Sequence, residues 1–131
     1  MKIYDKLKIH FDPSVDTFNK LTTILGVQPS DDFADFSNKI PTCWTYEAVD
    51  DKPDEYFDFI NTFLDILETK YTDLEKLNIK RDDITVWMLY EYGQQCNMEF
   101  DPSRLKRLGE NGIKLCISCW DSGKEYGSEN G

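Results

Sequence analysis

From Phe57 onward the apolar residues recur every three or four positions: Phe57, Ile60, Leu64, Leu67 and Tyr71 form one stripe, and Phe63, Ile66 and Leu74 broaden it. A helix with so wide an apolar face needs a flat apolar surface to cover. Pro53 suits the first turn of such a helix, so one long helix is predicted from Pro53 to about Leu74.

Segments of the other period supply that surface. Residues 3–11 alternate, with Leu7, Ile9 and Phe11 on one face and Lys6, Lys8 and His10 on the other, as in a half-buried strand. Thr42 to Val49, rich in β-branched and aromatic residues, sets Cys43, Thr45 and Glu47 opposite Trp44, Tyr46 and Ala48. Ile84 to Tyr92 sets Val86, Met88 and Tyr90 opposite Trp87, Leu89 and Glu91, and a last strand carries Ile113, Leu115, Ile117 and Cys119 on one face.

Two shorter helices complete the set. Asp12 as cap and Pro13 as first residue open one that turns Phe18, Leu21, Ile24 and Leu25 inward and stops at Gly26. Asp101 and Pro102 open another, with Leu105 and Leu108 inward and Asn111-Gly112 at its end. Phe-Asp-Pro-Ser thus occurs twice, at 11–14 and at 100–103, and reads both times as a helix start. Val27 to Ile40 reads as irregular, with Phe33 and Phe36 as anchors, and Gly93-Gln94-Gln95 as a turn.

In order, these elements predict an α+β two-layer sandwich: a mainly antiparallel sheet of four to five strands with helices on one face, a ferredoxin-like order being one candidate. A length of 131 residues suits one domain, expected over residues 1–120, with a polar tail over 121–131.

Charge narrows the partners. With 25 acidic and 15 basic residues the chain carries −10, which repels nucleic acid phosphates and anionic lipid and favours a basic partner. Met1-Lys2-Ile3-Tyr4-Asp5-Lys6 has no apolar signal core, and no apolar run approaches the roughly 18 residues of a membrane span. A cytoplasmic location away from membranes is expected.

Candidate chemistry is sparse. Cys116-Ile117-Ser118-Cys119 has the spacing of half a zinc site, which Cys43 and Cys96 could complete. Residues three apart on a strand face opposite sides, however, so reduced thiols and no metal are expected. His10 is the single histidine and shares its face with Lys6 and Lys8, a poor setting for a nucleophile's base. Gly109 and Gly112 fall at a helix end rather than in a phosphate loop. No catalytic residue, metal ligand or cofactor is predicted.

The acids themselves are the remaining signal. From Glu47 to Lys76 ten acids face three lysines, seven net negative charges on one helix and its lead-in. Glu47, Asp50, Asp51, Asp54, Glu55 and Asp58 form the candidate partner-binding site, and Asp54, Glu55 and Asp58 also suit the positive end of a helix dipole.

The run Met98-Glu99-Phe100-Asp101-Pro102-Ser103-Arg104-Leu105-Lys106-Arg107-Leu108-Gly109-Glu110-Asn111-Gly112-Ile113-Lys114-Leu115-Cys116-Ile117 resembles the end of a bacterial family, domain of unknown function 4279. The first strand, Ile24-Leu25-Gly26-Val27-Gln28-Pro29, Trp44 before a long helix, and the third strand fall in that family's order, so the resemblance spans about residues 5 to 120. Where the family often has a Gly- and Arg-containing stretch, this chain has Ser30 to Asn38 with neither. The resemblance carries over no functional residue, and small acidic domains of this kind resemble immunity proteins encoded beside toxins.

The expected function is therefore an acidic protein-binding module, in its concrete form an immunity-type protein that neutralises a basic toxin. The alternative is a small-molecule-binding or regulatory domain with a pocket lined by Trp44, Tyr46, Trp87 and Tyr90.

Overall fold

In the computed structural model, which describes residues 2–30, 39–48, 57–93 and 98–121, the sheet is organised around its first strand. Strand β1, Lys2–His10, pairs antiparallel with β2, Cys43–Glu47, on one side and with β3, Ile84–Tyr92, on the other. β3 pairs in parallel with β4, Lys114–Asp121, giving the order β2-β1-β3-β4. Helices α1 (Val15–Leu25), α2 (Phe59–Leu67), α3 (Tyr71–Lys76) and α4 (Pro102–Glu110) fill the connections.

The predicted α+β architecture is the one observed, a four-stranded mixed sheet in which two of three pairings are antiparallel. The element order β-α-β-α-α-β-α-β, with its parallel last pair, departs from the β-α-β-β-α-β order of a ferredoxin-like unit, so that candidate order is not adopted. Because β2 and β3 both run opposite to β1, α2 and α3 carry the chain across it, and α4 makes the crossover that a parallel β3–β4 pair requires.

Register aligns the apolar faces. Leu7 lies between Tyr46 and Val86, and Ile9 between Trp44 and Ile84. Onto this surface α2 presses Phe59, Ile60, Phe63, Leu64 and Leu67, all fully buried, joined by Phe18, Leu21 and Leu25 of α1 and Leu108 of α4. Each such side chain contributes roughly 1.5–3 kcal/mol by leaving water. Trp44 is fully buried and donates its indole N–H to the Thr22 hydroxyl at 3.0 Å, so it enters the core with its polar atom satisfied.

Three local expectations are corrected. Helix α1 begins at Val15 with Ser14 as its cap, not at Pro13 with Asp12: the Thr17 N–H donates to Ser14 Oγ at 3.0 Å. Phe11 N–H donates to the Thr42 carbonyl and Ser14 N–H to that of Pro41, so the chain is held against residues 41–42 on both sides of a bend at Asp12 and Pro13, and the helix starts only beyond it. Only the second Phe-Asp-Pro-Ser works as predicted, with Asp101 as cap and Pro102 in the first turn.

The single long helix is two. α2 starts at Phe59, capped by Asp58, and ends at Glu68, whose extended backbone leads into Thr69 at φ 75° before α3 begins. Tyr71 and Leu74 continue the stripe in sequence but belong to α3, where Leu74 is buried. Finally, Leu105 does not face inward: it is 43% exposed, because Arg104 and Arg107 occupy the side of α4 turned toward α2.

Candidate functional site

Asp101 fixes the start of α4 by accepting the Arg104 N–H at 3.2 Å. From there Arg104, Arg107 and Asn111, spaced three and four residues apart, share one helical face. Opposite them α2 and its flanks present Asp58, Asn61, Asp65 and Glu68 at the same spacing.

Arg104 Nε lies 2.9 Å from Asp58 Oδ1, and its Nη1 lies 3.0 Å from Asp101 Oδ1. Arg107 donates through Nη2 to Asp65 at 2.8 Å and to Glu68 Oε1 at 2.7 Å, through Nε to Glu68 Oε2 at 3.1 Å, and through Nη1 to the Asn61 side-chain oxygen at 2.7 Å. Asn111 donates to Glu68 Oε2 at 2.9 Å and accepts the Tyr71 hydroxyl proton at 2.6 Å. Arg81 closes the far end, its guanidinium carbon 3.4 Å from the Tyr71 ring centroid and its Nη1 donating to the Asn111 carbonyl.

The electrostatics follow from these contacts. Hydrogen bonds from Arg107 and then Asn111 hold the Glu68 carboxyl below its ordinary range. For Asp58, burial pushes upward, but the Asn61 backbone and side chain together with Arg104 outweigh it and leave the group lowered. Both guanidiniums are raised, Arg104 through Asp58 and Asp101, and Arg107 through Glu68 and Asp65. Burial raises the Tyr71 phenol. Donors and acceptors here answer one another, so the arrangement fastens α4 to α2 and α3 rather than presenting an open catalytic group.

Of the predicted site residues, Asp58 and Glu47 lie among the described residues. Asp58 caps α2 and is engaged by Arg104. Glu47 lies on the outer face of the sheet, opposite Lys6 at 3.8 Å, with its backbone N–H donated to Ser30 Oγ. These two members therefore sit in different layers. Asp50, Asp51, Asp54 and Glu55 lie outside the described residues. Arg104, Arg107 and Asn111 were missed, although two matching polar stripes, 58-61-65-68 and 104-107-111, were available in the sequence as a signal.

β4 runs unbroken through Cys116 and Cys119, so Cys116 stands opposite Trp87 on the outer face and Cys119 opposite Tyr90 on the inner one. Cys43 and Cys116 are free thiols, and Cys96 lies outside the described residues. Of the four aromatics of the pocket alternative, Trp44 and Tyr90 are buried and Tyr46 packs against Trp44 and Phe63. Trp87 is on the outer face, its indole N–H given to Thr85 Oγ1 and the Lys8 ammonium 5.4 Å above its ring.

No helix among the described residues is long and apolar enough to cross a membrane. Comparison with family models, with curated proteins and with solved structures finds no match to this chain.

Proposed function

We propose that this chain is an acidic protein-binding module of the cytoplasm, not an enzyme, that captures a basic protein, with neutralisation of a toxin as the concrete form. The observation that supports it best is how the fold uses its own cations. Arg107 is shared by Asp65 and Glu68, Arg104 serves Asp58 and Asp101, and Lys6 faces Glu47. With those cations engaged, the excess behind the net charge of −10 is left to act on a partner.

Within the candidate site this shifts the weight from Glu47 and Asp58, which already have partners, to Asp50, Asp51, Asp54 and Glu55. Kinship with the bacterial family of domain of unknown function 4279 belongs to the same proposal and rests on the residues quoted above. The same charge disfavours nucleic acid and anionic membrane.

Affinity capture from the native host, with identification by mass spectrometry, supplies the partner. Association rates are then compared for the natural chain and for Asp50→Lys/Asp51→Lys/Asp54→Lys at low and high salt. Association should slow severalfold in the variant, and salt should erase the difference, because exposed charges are screened beyond about 8 Å at physiological ionic strength. Equal rates with no response to salt would overturn the reading.

A further inference from the structure

The two edges of the sheet are finished differently. On β2 the Ser30 N–H donates to the Thr45 carbonyl at 2.7 Å and the Glu47 N–H is given to Ser30 Oγ, so the segment after α1 occupies outward main-chain groups of that edge. β4 forms the other edge: it pairs with β3, and among the described residues no segment does for it what Ser30 does for β2. It is eight residues long, has neither proline nor glycine, and is charged only at its ends, Lys114 and Asp121. Such an edge is a template for one more strand.

Large side chains of β4 are uncovered on both faces. Ile117 lies beside buried Met88 on the inner face yet is 43% exposed, and Trp120 on the outer face is 40% exposed. Leu115, beside Val86, is half-buried at the margin of the core. A strand added here would extend the core sideways as well as the ladder.

The sequence of β4 suits its own copy. Two antiparallel copies related by a two-fold axis through the sheet keep their inner faces on one side only when opposed residue numbers add to an even number, because side chains alternate. Centred on Ile117, this pairing sets Ile117 against itself, Leu115 against Cys119 of the second copy, and Lys114 against its Trp120. Lys114 would lie over that indole with Glu91 behind it, much as Lys8 lies 5.4 Å over the Trp87 ring. A centre at Ser118 would instead oppose Leu115 to Asp121, and one at Cys116 would leave both Trp120 rings outside the paired stretch. The charge of −10 opposes self-association, but it is spread over the surface and screened beyond about 8 Å at physiological ionic strength, whereas β4 itself is neutral.

We propose that this chain forms a two-fold dimer by antiparallel pairing of β4 with β4 of a second copy, centred on Ile117, which joins two four-stranded sheets into one. The inference goes beyond the basic-partner reading and does not depend on it.

The test is sedimentation equilibrium of the full chain, with thiols kept reduced, from about 5 to 500 μM, beside amide hydrogen exchange at both ends of that range. A monomer–dimer equilibrium with Kd of roughly 10–100 μM is expected, as for a small interface, and added salt should tighten it by screening the like net charges. Exchange should slow with concentration in β4 and stay unchanged in β2. Ile117→Lys, at an exposed position the fold tolerates, opposes two like charges across the axis and should weaken the dimer at least about tenfold. Lys114→Glu loses two cation–ring contacts and should weaken it about five- to thirtyfold. A monomer at every concentration would overturn the inference and leave the basic-partner reading standing. A dimer indifferent to Ile117→Lys, with no added protection in β4, would place the interface elsewhere and overturn it equally.

Discussion

Arg107 and Glu68, 39 residues apart in sequence, meet through two hydrogen bonds, Nη2 to Oε1 at 2.7 Å and Nε to Oε2 at 3.1 Å. The fork of the guanidinium matches the carboxylate, so this contact fixes orientation as well as distance. It falls where α2 ends and the chain turns into α3, and so ties α4 to the break between those two helices.

Arg107→Met keeps the aliphatic stem but removes every donor, leaving Asn61, Asp65 and Glu68 without that partner. Arg107 is 29% exposed and Asp65 69%, so solvent screens part of the loss. A destabilisation of about 1–2 kcal/mol is expected by urea denaturation, and Arg107→Lys should restore only part of it. A cost below about 0.5 kcal/mol would mean that Leu108 packing alone holds α4.

Acid should loosen the same contact. Asp58 and Glu68 are both held below their ordinary range, so the unfolded chain binds protons more readily than the folded one. Their contribution is present above the unfolded carboxylate range and is lost as pH falls through the lowered folded values, below about pH 4. Thermal melts from pH 7 down to pH 3 should show stability falling at the acid end, with a shallower fall in Arg107→Met. Parallel curves for the two proteins would show that other carboxylates dominate.

Thr69 marks where the helical stripe misleads. Its φ of 75° lies in the left-handed region, which a β-branched residue adopts at a cost of about 1–2 kcal/mol. Thr69→Gly relieves that strain and gives back roughly 0.5–1 kcal/mol in unfolded-chain entropy. A net gain of about 0.5–1 kcal/mol is therefore expected, read as a higher Tm. An unchanged or lower Tm would place another role on the Thr69 side chain.

How much of this was legible in the chain follows from which signals are local. The alternation of Leu7 and Ile9, and of Val86, Met88 and Tyr90, announced β1 and β3, and β3 runs from Ile84 to Tyr92 as read. Asp101-Pro102 announced α4, because cap and first-turn residue act within four positions. The same four letters failed at 11–14, where hydrogen bonds from Phe11 and Ser14 to residues 42 and 41 hold a bend at Asp12 and Pro13 and delay the helix to Val15. The break at Thr69 was invisible because Tyr71 and Leu74 keep the stripe's phase and no glycine marks the turn. The partners of three of the acids were hidden for a similar reason: Asp58, Asp65 and Glu68 are answered by arginines some 40 residues downstream, a pairing that charge counting does not weigh.

The faces of α2 and α4 allow the sharpest check on the packing, using two leucines of opposite fate. Leu64 is fully buried among Phe63, Leu67 and the inner face of the sheet, whereas Leu105 is 43% exposed on the outside of α4. Leu64→Ala removes buried methyl groups and leaves a cavity that the fully buried phenylalanines around it cannot close, so a loss of about 2–5 kcal/mol is expected. Leu105→Ala removes little buried surface, and alanine is the better helix former, so its effect should stay within about 0.5 kcal/mol of zero. Both are measured by urea denaturation, in which equal m-values confirm that each variant unfolds from the same fold. A large loss at Leu105 would return that residue to the inner side where its spacing first put it. A negligible loss at Leu64 would mean that α2 meets the sheet through a different face.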